Sequence, residues 1–103
     1  LLNKIKPQTV CICCCAGNDE YTSTVENQFP TQIAINNISK YTDKVFVTTL
    51  STDGKSGYTS MDGNITVYSE KGKTYTVHGS NNDTLLKDTD WFKNNRTCPT
   101  YWN

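Results

Sequence analysis

Polar and apolar residues alternate over much of the second half of the chain, which is the pattern of half-buried β-strands. Residues 45–50 predict a central strand. Residues 64–69 and 73–78 predict a hairpin, because Gly72 lies in the intervening turn, where a positive φ is needed. Shorter elements complete the pattern: strands over residues 9–15 and 57–60, turns at Asp53-Gly54 and Asp62-Gly63, and a loop over residues 80–83.

A repeat of about four residues replaces this alternation after the first predicted strand. Asn18 is a suitable N-cap, and Tyr21, Val25 and Phe29 recur on one helical face. We therefore expect the main α-helix of the chain here. It should end or kink at Pro30, whose ring removes a backbone donor.

Two further segments each fit two structures. Residues 32–40 predict either another helical turn or an irregular connection, with Ile33, Ile35 and Ile38 turned inward. Residues 84–92 predict either a short helix or a final edge strand. Pattern alone does not separate these alternatives.

The length of 103 residues fits one domain. We expect a flexible or loosely attached arm over residues 1–8 and a single domain over residues 9–103. Thr, Ser and Asn supply 34 of the 103 residues, which favours strands, turns and glycosylated surfaces over long helices. The predicted fold is α+β, with one α-helix packed on an antiparallel β-sheet.

The balance of charges in the chain argues against a protein that binds duplex nucleic acid or a membrane surface through bulk positive charge. Ten basic and ten acidic residues give a formal net charge of zero. The chain therefore lacks the bulk electrostatic footprint of a protein that binds duplex nucleic acid or a membrane surface. No apolar run approaches the roughly 18 residues of a membrane span. The chain begins at Leu1 without a signal-like segment, so we expect it to be processed or trimmed.

The five cysteines form a cluster at the front of the chain and a single partner near its end. This layout predicts a disulfide between Cys98 and the cluster, with Cys15 or Cys13 as the partner. Such a bridge would close a loop of about 80 residues, which in the chain-entropy model stabilises the fold by about 4–5 kcal/mol. The odd count leaves at least one thiol unpaired. The cluster consists of Cys11, Cys13, Cys14 and Cys15.

Four acceptor sequences for N-linked glycosylation support an oxidising, secretory route. Chance explains some of them, because Asn and Thr are common in this chain. We nevertheless expect a secreted protein. The acceptor asparagines are Asn37, Asn64, Asn82 and Asn95.

Candidate chemistry narrows to one histidine. His78 is the only imidazole in the chain and lies at the end of a predicted hairpin strand, where it is either a structural residue or faces a cleft. Residues 53–57 look like a phosphate-binding loop but lack its leading glycine and a following helix, so they predict a β-turn. The cysteine spacing differs from that of zinc modules. We predict no metal and no cofactor.

The order of short motifs along the chain carries a resemblance. The motifs are CAGNDEYTSTV at residues 15–25, the strand over residues 45–50, GYTS at 57–60, NITVY at 64–68, YTVHG at 75–79, and the late Cys98. In this order the chain resembles the small guanyl-specific fungal ribonucleases and, more closely, the ribonuclease-like secreted effectors of cereal powdery mildew fungi. The resemblance implies one helix against a curved antiparallel sheet, with a disulfide joining the two ends of the chain.

The resemblance also implies which catalytic groups should be present, and most of them are missing. Active enzymes of that family pair a glutamate base with a histidine acid and an arginine that stabilises phosphate charge. His78 falls where the acid histidine is expected, but residues 45–50 hold no glutamate and Ile65 occupies the arginine position. Asp43 and Lys44 are the nearest charged substitutes, and Arg96 is remote in sequence. The chain therefore predicts a pseudo-enzyme.

We expect a virulence or avirulence effector that binds a host plant protein, with an intracellular immune receptor as one such partner after translocation into the host cell. One alternative is a weakly active ribonuclease that uses His78 with Asp43 or with a hydroxyl-rich pocket. Another is a secreted β-rich adhesion or toxin domain. The aromatic tail either covers the N-terminal strand or meets a partner. RNA binding should be weak or absent. The predicted contacts are Lys55, Tyr58, Asn81, Asn82, Tyr101 and Trp102.

Overall fold

The predicted strands form two sheets. The computed structural model describes residues 1–20, 22–51 and 58–103, with the backbone alone at residues 58–60. Strands β1 (Val10–Ala16), β2 (Val45–Ser51) and β3 (Tyr58–Ser60) make one sheet in the order β1-β2-β3. Strands β4 (Ile65–Tyr68) and β5 (Thr76–Gly79) make a second, antiparallel sheet. Three α-helices accompany them within the described residues, so the α+β class is confirmed.

The larger sheet is mixed, so the prediction of one antiparallel sheet is wrong. β1 and β2 run parallel, with Val10 opposite Val45 and Ile12 opposite Val47, whereas β2 and β3 run antiparallel. The physical reason is the connection. A helix, α2 (Gln32–Ser39), lies between β1 and β2 and returns the chain to the end of the sheet where β1 began. Such a crossover produces a parallel pair.

The helix predicted from Asn18 to Phe29 is also wrong. The described residues of this stretch contain a short 3₁₀ turn at Val25–Asn27 and no α-helix. The Thr24 N–H, which in a helix would donate to Glu20 O, donates to Thr22 Oγ1 at 3.2 Å instead. The Glu20 N–H donates to Asn18 Oδ1 at 2.7 Å. Tyr21 lies outside the described residues.

Helix α2 occupies the segment that was predicted as a helical turn or an irregular connection. Thr31 caps it by accepting a hydrogen bond from the Ala34 N–H at 3.3 Å. Ile35 and Ile38 are buried as expected, but Ile33 is 75% exposed, so its predicted inward direction is wrong. Ile33 differs because it lies two residues before Ile35, on another face of the helix.

The ambiguous segment after the hairpin is helical. A 3₁₀ turn at Leu86–Asp88 leads into α3 (Asp90–Asn95). Thr89 joins the two, because its hydroxyl donates to Leu86 O at 2.8 Å and accepts from the Phe92 N–H at 3.2 Å. The predicted arm contains a four-residue helix, α1 (Leu2–Ile5), and Leu2 packs partly against the core. Its flexibility stays a prediction.

The core lies on one face of the larger sheet, against α2 and α3. Trp102 belongs to it: the indole is 7% exposed, packs 5.7 Å from the Phe92 ring and donates a hydrogen bond to Thr42 O at 2.8 Å. The prediction of Trp102 as an exposed contact is therefore wrong, whereas Tyr101 is 71% exposed. The cluster comprises Ala16, Ile35, Ile38, Val45, Val47, Leu86, Phe92 and Trp102.

The predicted hairpin is confirmed. Gly72 has φ +79° in its turn, and Gly63, in the turn before β4, has φ +66°. β4 and β5 pair with Val67 opposite Val77 and Thr66 opposite His78. The turn at Asp53-Gly54 lies outside the described residues. Within the described ranges, no helix has the length and apolar character to cross a membrane.

Candidate functional site

His78 and Asp83 form a pair at the end of the hairpin. His78 Nδ1 lies 3.1 Å from Asp83 Oδ2, and Asp83 Oδ1 accepts a hydrogen bond from the Gly79 N–H at 2.8 Å. The backbone donor, followed by the histidine, lowers the pKa of the Asp83 carboxyl. The His78 side chain is 66% exposed. The predicted histidine is thus oriented by a carboxylate and open to solvent.

A cavity of about 310 Å³ lies beside this pair, between the start of β2 and the hairpin. Phe46, which is 5% exposed, contributes apolar surface to it. The Tyr75 hydroxyl lies 2.9 Å from Thr9 Oγ1, which joins the hairpin to the start of the chain. Lys44 adds a cation and Asp83 a carboxylate. The full lining is Thr9, Lys44, Phe46, Tyr75, Val77, Asp83 and Leu85.

Asp43, which the sequence analysis named as a substitute for the missing glutamate base, is paired with Lys87 and not with His78. Its Oδ2 lies 2.6 Å from Lys87 Nζ. The hydrogen bond from Lys87 lowers the pKa of Asp43, and the same bond raises the pKa of Lys87. The structure therefore pairs His78 with Asp83, and Asp43 with Lys87, which sequence reasoning did not anticipate.

Arg96 has a structural role, because its guanidinium is occupied by backbone carbonyls. Nε donates to Pro30 O at 3.0 Å, and Nη1 donates to the carbonyl of Asn95 at 2.8 Å. Nη2 donates to Val25 O at 2.9 Å and to Gln28 O at 2.8 Å. The guanidinium also lies over the Trp91 ring, 4.6 Å from its centroid. Each guanidinium nitrogen thus has a protein acceptor.

Asp62 is a buried carboxylate, whereas the sequence pattern predicts only a turn residue there. It is 0% exposed, and among the described residues neither carboxylate oxygen has a hydrogen-bond partner. Burial raises the pKa of Asp62 to about 6, although the dipoles of the Val47 and Thr84 N–H groups oppose the shift. No local sequence signal marks it, because its burial depends on the distant segment at residues 79–84.

Three successive cysteines line a second cavity, of about 320 Å³, with Asn18, Glu20 and Phe29. The pairing of β1 with β2 shifts register between Ile12 and Cys15, and this irregularity interrupts the alternation of neighbouring side chains. Burial, followed by Cys15 and Cys13, raises the pKa of the Cys14 thiol to about 11. Within the described chain, no group of three or more His, Cys, Asp and Glu is placed to hold a metal ion.

The cysteines of the predicted disulfide line two different cavities. Cys15 lines the cavity of the front cluster, whereas Cys98 lines a groove between α2 and the C-terminal residues. Cys98 Sγ lies 3.6 Å from Asn103 Oδ1. All five cysteines, each within the described part of the chain, are free thiols, so the bridge to Cys15 or Cys13 stays a prediction.

The predicted contact residues divide into three groups. Asn81, Asn82 and Tyr101 are exposed. Trp102 is in the core. Lys55 and the side chain of Tyr58 lie outside the described residues.

Comparison of the chain with known protein families, curated proteins and solved structures finds no match. No family model matches the chain, and neither a curated protein nor a solved structure is significantly similar to it.

Proposed function

We propose that this protein is a secreted fungal effector with a ribonuclease-like fold that acts by binding a host protein. The motif order that resembles the powdery mildew effectors supports the assignment to that class. The α+β fold, with a hairpin whose second strand contains His78, is compatible with it. In this proposal an intracellular immune receptor reads the surface of the effector.

The observation that supports binding without catalysis is that each nitrogen of the Arg96 guanidinium is hydrogen-bonded within the protein. Arg96 is the only arginine of the chain, and all three guanidinium nitrogens donate to backbone carbonyls. A ribonuclease needs a cation that is free to stabilise charge on the phosphate in the transition state. With the guanidinium occupied and no glutamate on β2, the arrangement supports binding without turnover.

A residual ribonuclease is the second candidate, and the open His78–Asp83 pair beside the Lys44 cavity favours it. Purified protein would be incubated with single-stranded and structured RNA, alongside His78→Ala and the matched control Lys73→Ala at an exposed lysine of the same hairpin. We expect no cleavage above the buffer background. Cleavage by the wild type and the control that is lost in His78→Ala would overturn the binding proposal.

The binding proposal is tested directly in leaf tissue. The protein would be co-expressed with candidate immune receptors, and cell death scored against protein abundance. We expect Tyr101→Ala or a double Asn81→Ala, Asn82→Ala variant to weaken recognition, whereas the equally exposed Ile33→Ala serves as control. Abundant variants that all give the wild-type response, or no response to any receptor, would contradict this surface.

Binding to RNA is expected to be weak, because the chain has no net charge and one occupied arginine. Whatever binding occurs should fall steeply with salt, since phosphate neutralisation drives it. Titration of labelled RNA at low and high salt measures this. Tight binding that persists at high salt would instead indicate a base-stacking site.

The proposed fold includes a disulfide from Cys98 to Cys15 or Cys13. Peptide mapping of the secreted protein under non-reducing conditions identifies the partner. We expect loss of the bridge to lower the free energy of unfolding by about 4 kcal/mol or less, because the chain-entropy value is reduced by strain. A free Cys98 in correctly folded secreted protein would exclude the bridge.

A further inference from the structure

Asp62 carries a carboxylate that the fold buries without balancing its charge. The residue is 0% exposed, and among the described residues neither carboxylate oxygen has a hydrogen-bond partner. No lysine, arginine or histidine within the described ranges forms an ion pair with it. An ionised carboxylate is unfavourable in such surroundings, because water is excluded and no donor or cation replaces it. Ionisation of Asp62 therefore favours any conformation in which water reaches this side chain.

A short segment, residues 79–84, lies against Asp62, and we call it the covering segment. Asn82 Nδ2 donates to Met61 O at 2.9 Å, and Ser80 Oγ donates to Asp62 O at 3.4 Å. Most residues of the segment are themselves exposed. The covering segment is thus a single layer of chain between Asp62 and solvent, held by a few polar contacts.

Gly79 allows the covering segment to approach Asp62 closely. A Cβ at this position would lie 2.6 Å from the carbonyl oxygen of Asp62 and 2.7 Å from its Cβ, and it would also collide with the carbonyl oxygen of Asn82. Side-chain atoms do not approach their neighbours so closely, so the closed arrangement requires glycine. Any larger residue at position 79 has to displace the segment from Asp62.

Within the described residues, the ionisable groups that act on Asp62 are other acids. They are Asp83 in the covering segment and Cys11 on β1, whereas β2 has no ionisable side chain. Burial, and to a smaller extent the charge of Asp83, raises the pKa of Asp62 to about 6. Asp83 is held in turn by the Gly79 N–H at 2.8 Å and by His78 Nδ1 at 3.1 Å. An imidazole binds a carboxylate most strongly when it carries a proton, so deprotonation of either Asp62 or His78 weakens the closed arrangement.

We propose that the covering segment is a pH-controlled lid, which lies closed over Asp62 in acid solution and opens toward neutral pH while the core stays folded. Opening lets water solvate the Asp62 carboxylate and moves Asp83 away from it. It also breaks the bond from Asn82 to Met61 O. Because Asn81 and Asn82 lie in the covering segment, the pH would control how a partner meets them, and this consequence rests on the proposed function.

The size of the effect follows from the two pKa values of Asp62. The pKa is about 6 in the closed form and returns to the ordinary value of 3.8 when water reaches the side chain. Because the closed form holds the proton more tightly, it is favoured in acid and loses that advantage as the pH rises through 6. The ratio of open to closed molecules should therefore rise by roughly tenfold between pH 5 and pH 8.

Native-state hydrogen exchange of the purified protein tests the lid, with rates corrected for the intrinsic effect of pH on exchange. The Ser80 N–H, which donates to Asn64 O at 2.9 Å, reports on the covering segment. The N–H of the buried Ile35, which donates to Thr31 O at 3.0 Å, reports on the core. We expect the protection of the Ser80 amide to be roughly tenfold lower at pH 8 than at pH 5 and insensitive to low urea, because local opening exposes little surface. Protection of the Ile35 amide should fall with urea.

Two variants separate opening of the lid from global unfolding. Asp62→Asn cannot ionise, so the Ser80 amide should be equally protected at both pH values. The matched control Asp88→Asn, at an exposed acid of the following 3₁₀ turn, should retain the wild-type difference. Gly79→Ala should lower the protection of Ser80 at both pH values and leave Ile35 protected, because the added Cβ keeps the segment from closing.

Protection of Ser80 that is the same at pH 5 and pH 8, or that falls only together with Ile35 and with urea, would overturn the lid. So would a wild-type pH difference in Asp62→Asn. The wild-type and Gly79→Ala measurements keep the test decisive where Asp62→Asn does not fold. No partner is present, so a receptor that ignores Asn81 and Asn82 would defeat the proposed contact surface and leave the lid intact.

Discussion

The two faces of the central strand β2 are stabilised by different physical interactions. Val45 and Val47 turn toward the core, where apolar side chains of α2, α3 and the C-terminus exclude water. Phe46 turns toward the hairpin region, which we define as β4, β5 and residues 80–83. There the contacts are mostly hydrogen bonds of polar side chains with the backbone, such as Asn82 with Met61 and Asp83 with Gly79.

This difference separates residues that packing constrains from residues that packing leaves free to change. The core face owes its stability to buried apolar area, so its residues are constrained by packing. The hairpin region exposes Val67 and Tyr68 by 57% and 61% and carries the open His78–Asp83 pair. Side chains there can change at low cost to the fold.

The largest expected difference between the core and the hairpin region comes from replacing one aromatic residue in each by alanine. Phe92→Ala should lower the free energy of unfolding by about 3–5 kcal/mol, because it leaves a cavity beside Trp102. Tyr68→Ala, the control in the hairpin region, should change it by less than about 0.5 kcal/mol. Urea denaturation followed by tryptophan fluorescence measures both. Equal losses would show that the hairpin region is packed as tightly as the core.

A smaller effect is expected at Gly17, which joins the core to the segment at residues 25–30. Its φ is +80°, and a Cβ there would collide with the Trp91 indole, over which Arg96 lies. Gly17→Ala should therefore cost about 2–4 kcal/mol from backbone strain and overpacking. Gly72→Ala shares the positive φ but has open space around it, so thermal unfolding of the two variants isolates the collision. Indistinguishable midpoints would contradict this role of Trp91.

Ionisation of Asp62, in the turn before β4, makes the free energy of unfolding depend on pH. Its folded pKa of about 6 lies above its ordinary value of 3.8, so the protonated form is favoured by folding. The stability associated with it is fully present below about pH 4 and is lost as the pH rises through 6. Asp62→Asn should remove this slope and stabilise the fold at neutral pH by about 1–3 kcal/mol. Urea midpoints from pH 4 to 8 test this, and parallel profiles for the two proteins would refute it.

The smallest effect is expected at His78. The pair with Asp83 is exposed, and an exposed pair of this kind adds little to the free energy of unfolding because water screens it. His78→Gln should therefore leave the urea midpoint at pH 7 within experimental error. A loss as large as that of Gly17→Ala would mean that the histidine is a structural residue of the hairpin region.

The sequence singled out His78, its one histidine, but not the residue that pairs with it. Asp83 was assigned to a loop and Asp43 to a possible catalytic pair, because sequence distance alone favours neither. The hairpin brings Asp83 to His78 through the Gly79 N–H, and α3 with its preceding turn brings Lys87 to Asp43. Arg96 was remote in sequence, and its acceptors are carbonyls at residues 25–30, which carry no side-chain signal.

The sequence by itself determined the local elements: the strand β2, the hairpin of β4 and β5, and the turns at Gly63 and Gly72. Each follows from alternation of neighbouring residues or from the φ of one glycine, and such preferences act over a few residues. Only the tertiary structure decided that β1 lies parallel to β2, that the described residues of the stretch 18–29 contain no α-helix, and that Trp102 and Asp62 are buried. These outcomes depend on groups that are tens of residues apart in sequence, such as Trp102 with Thr42 and Arg96 with Pro30, and chain periodicity does not encode such distances.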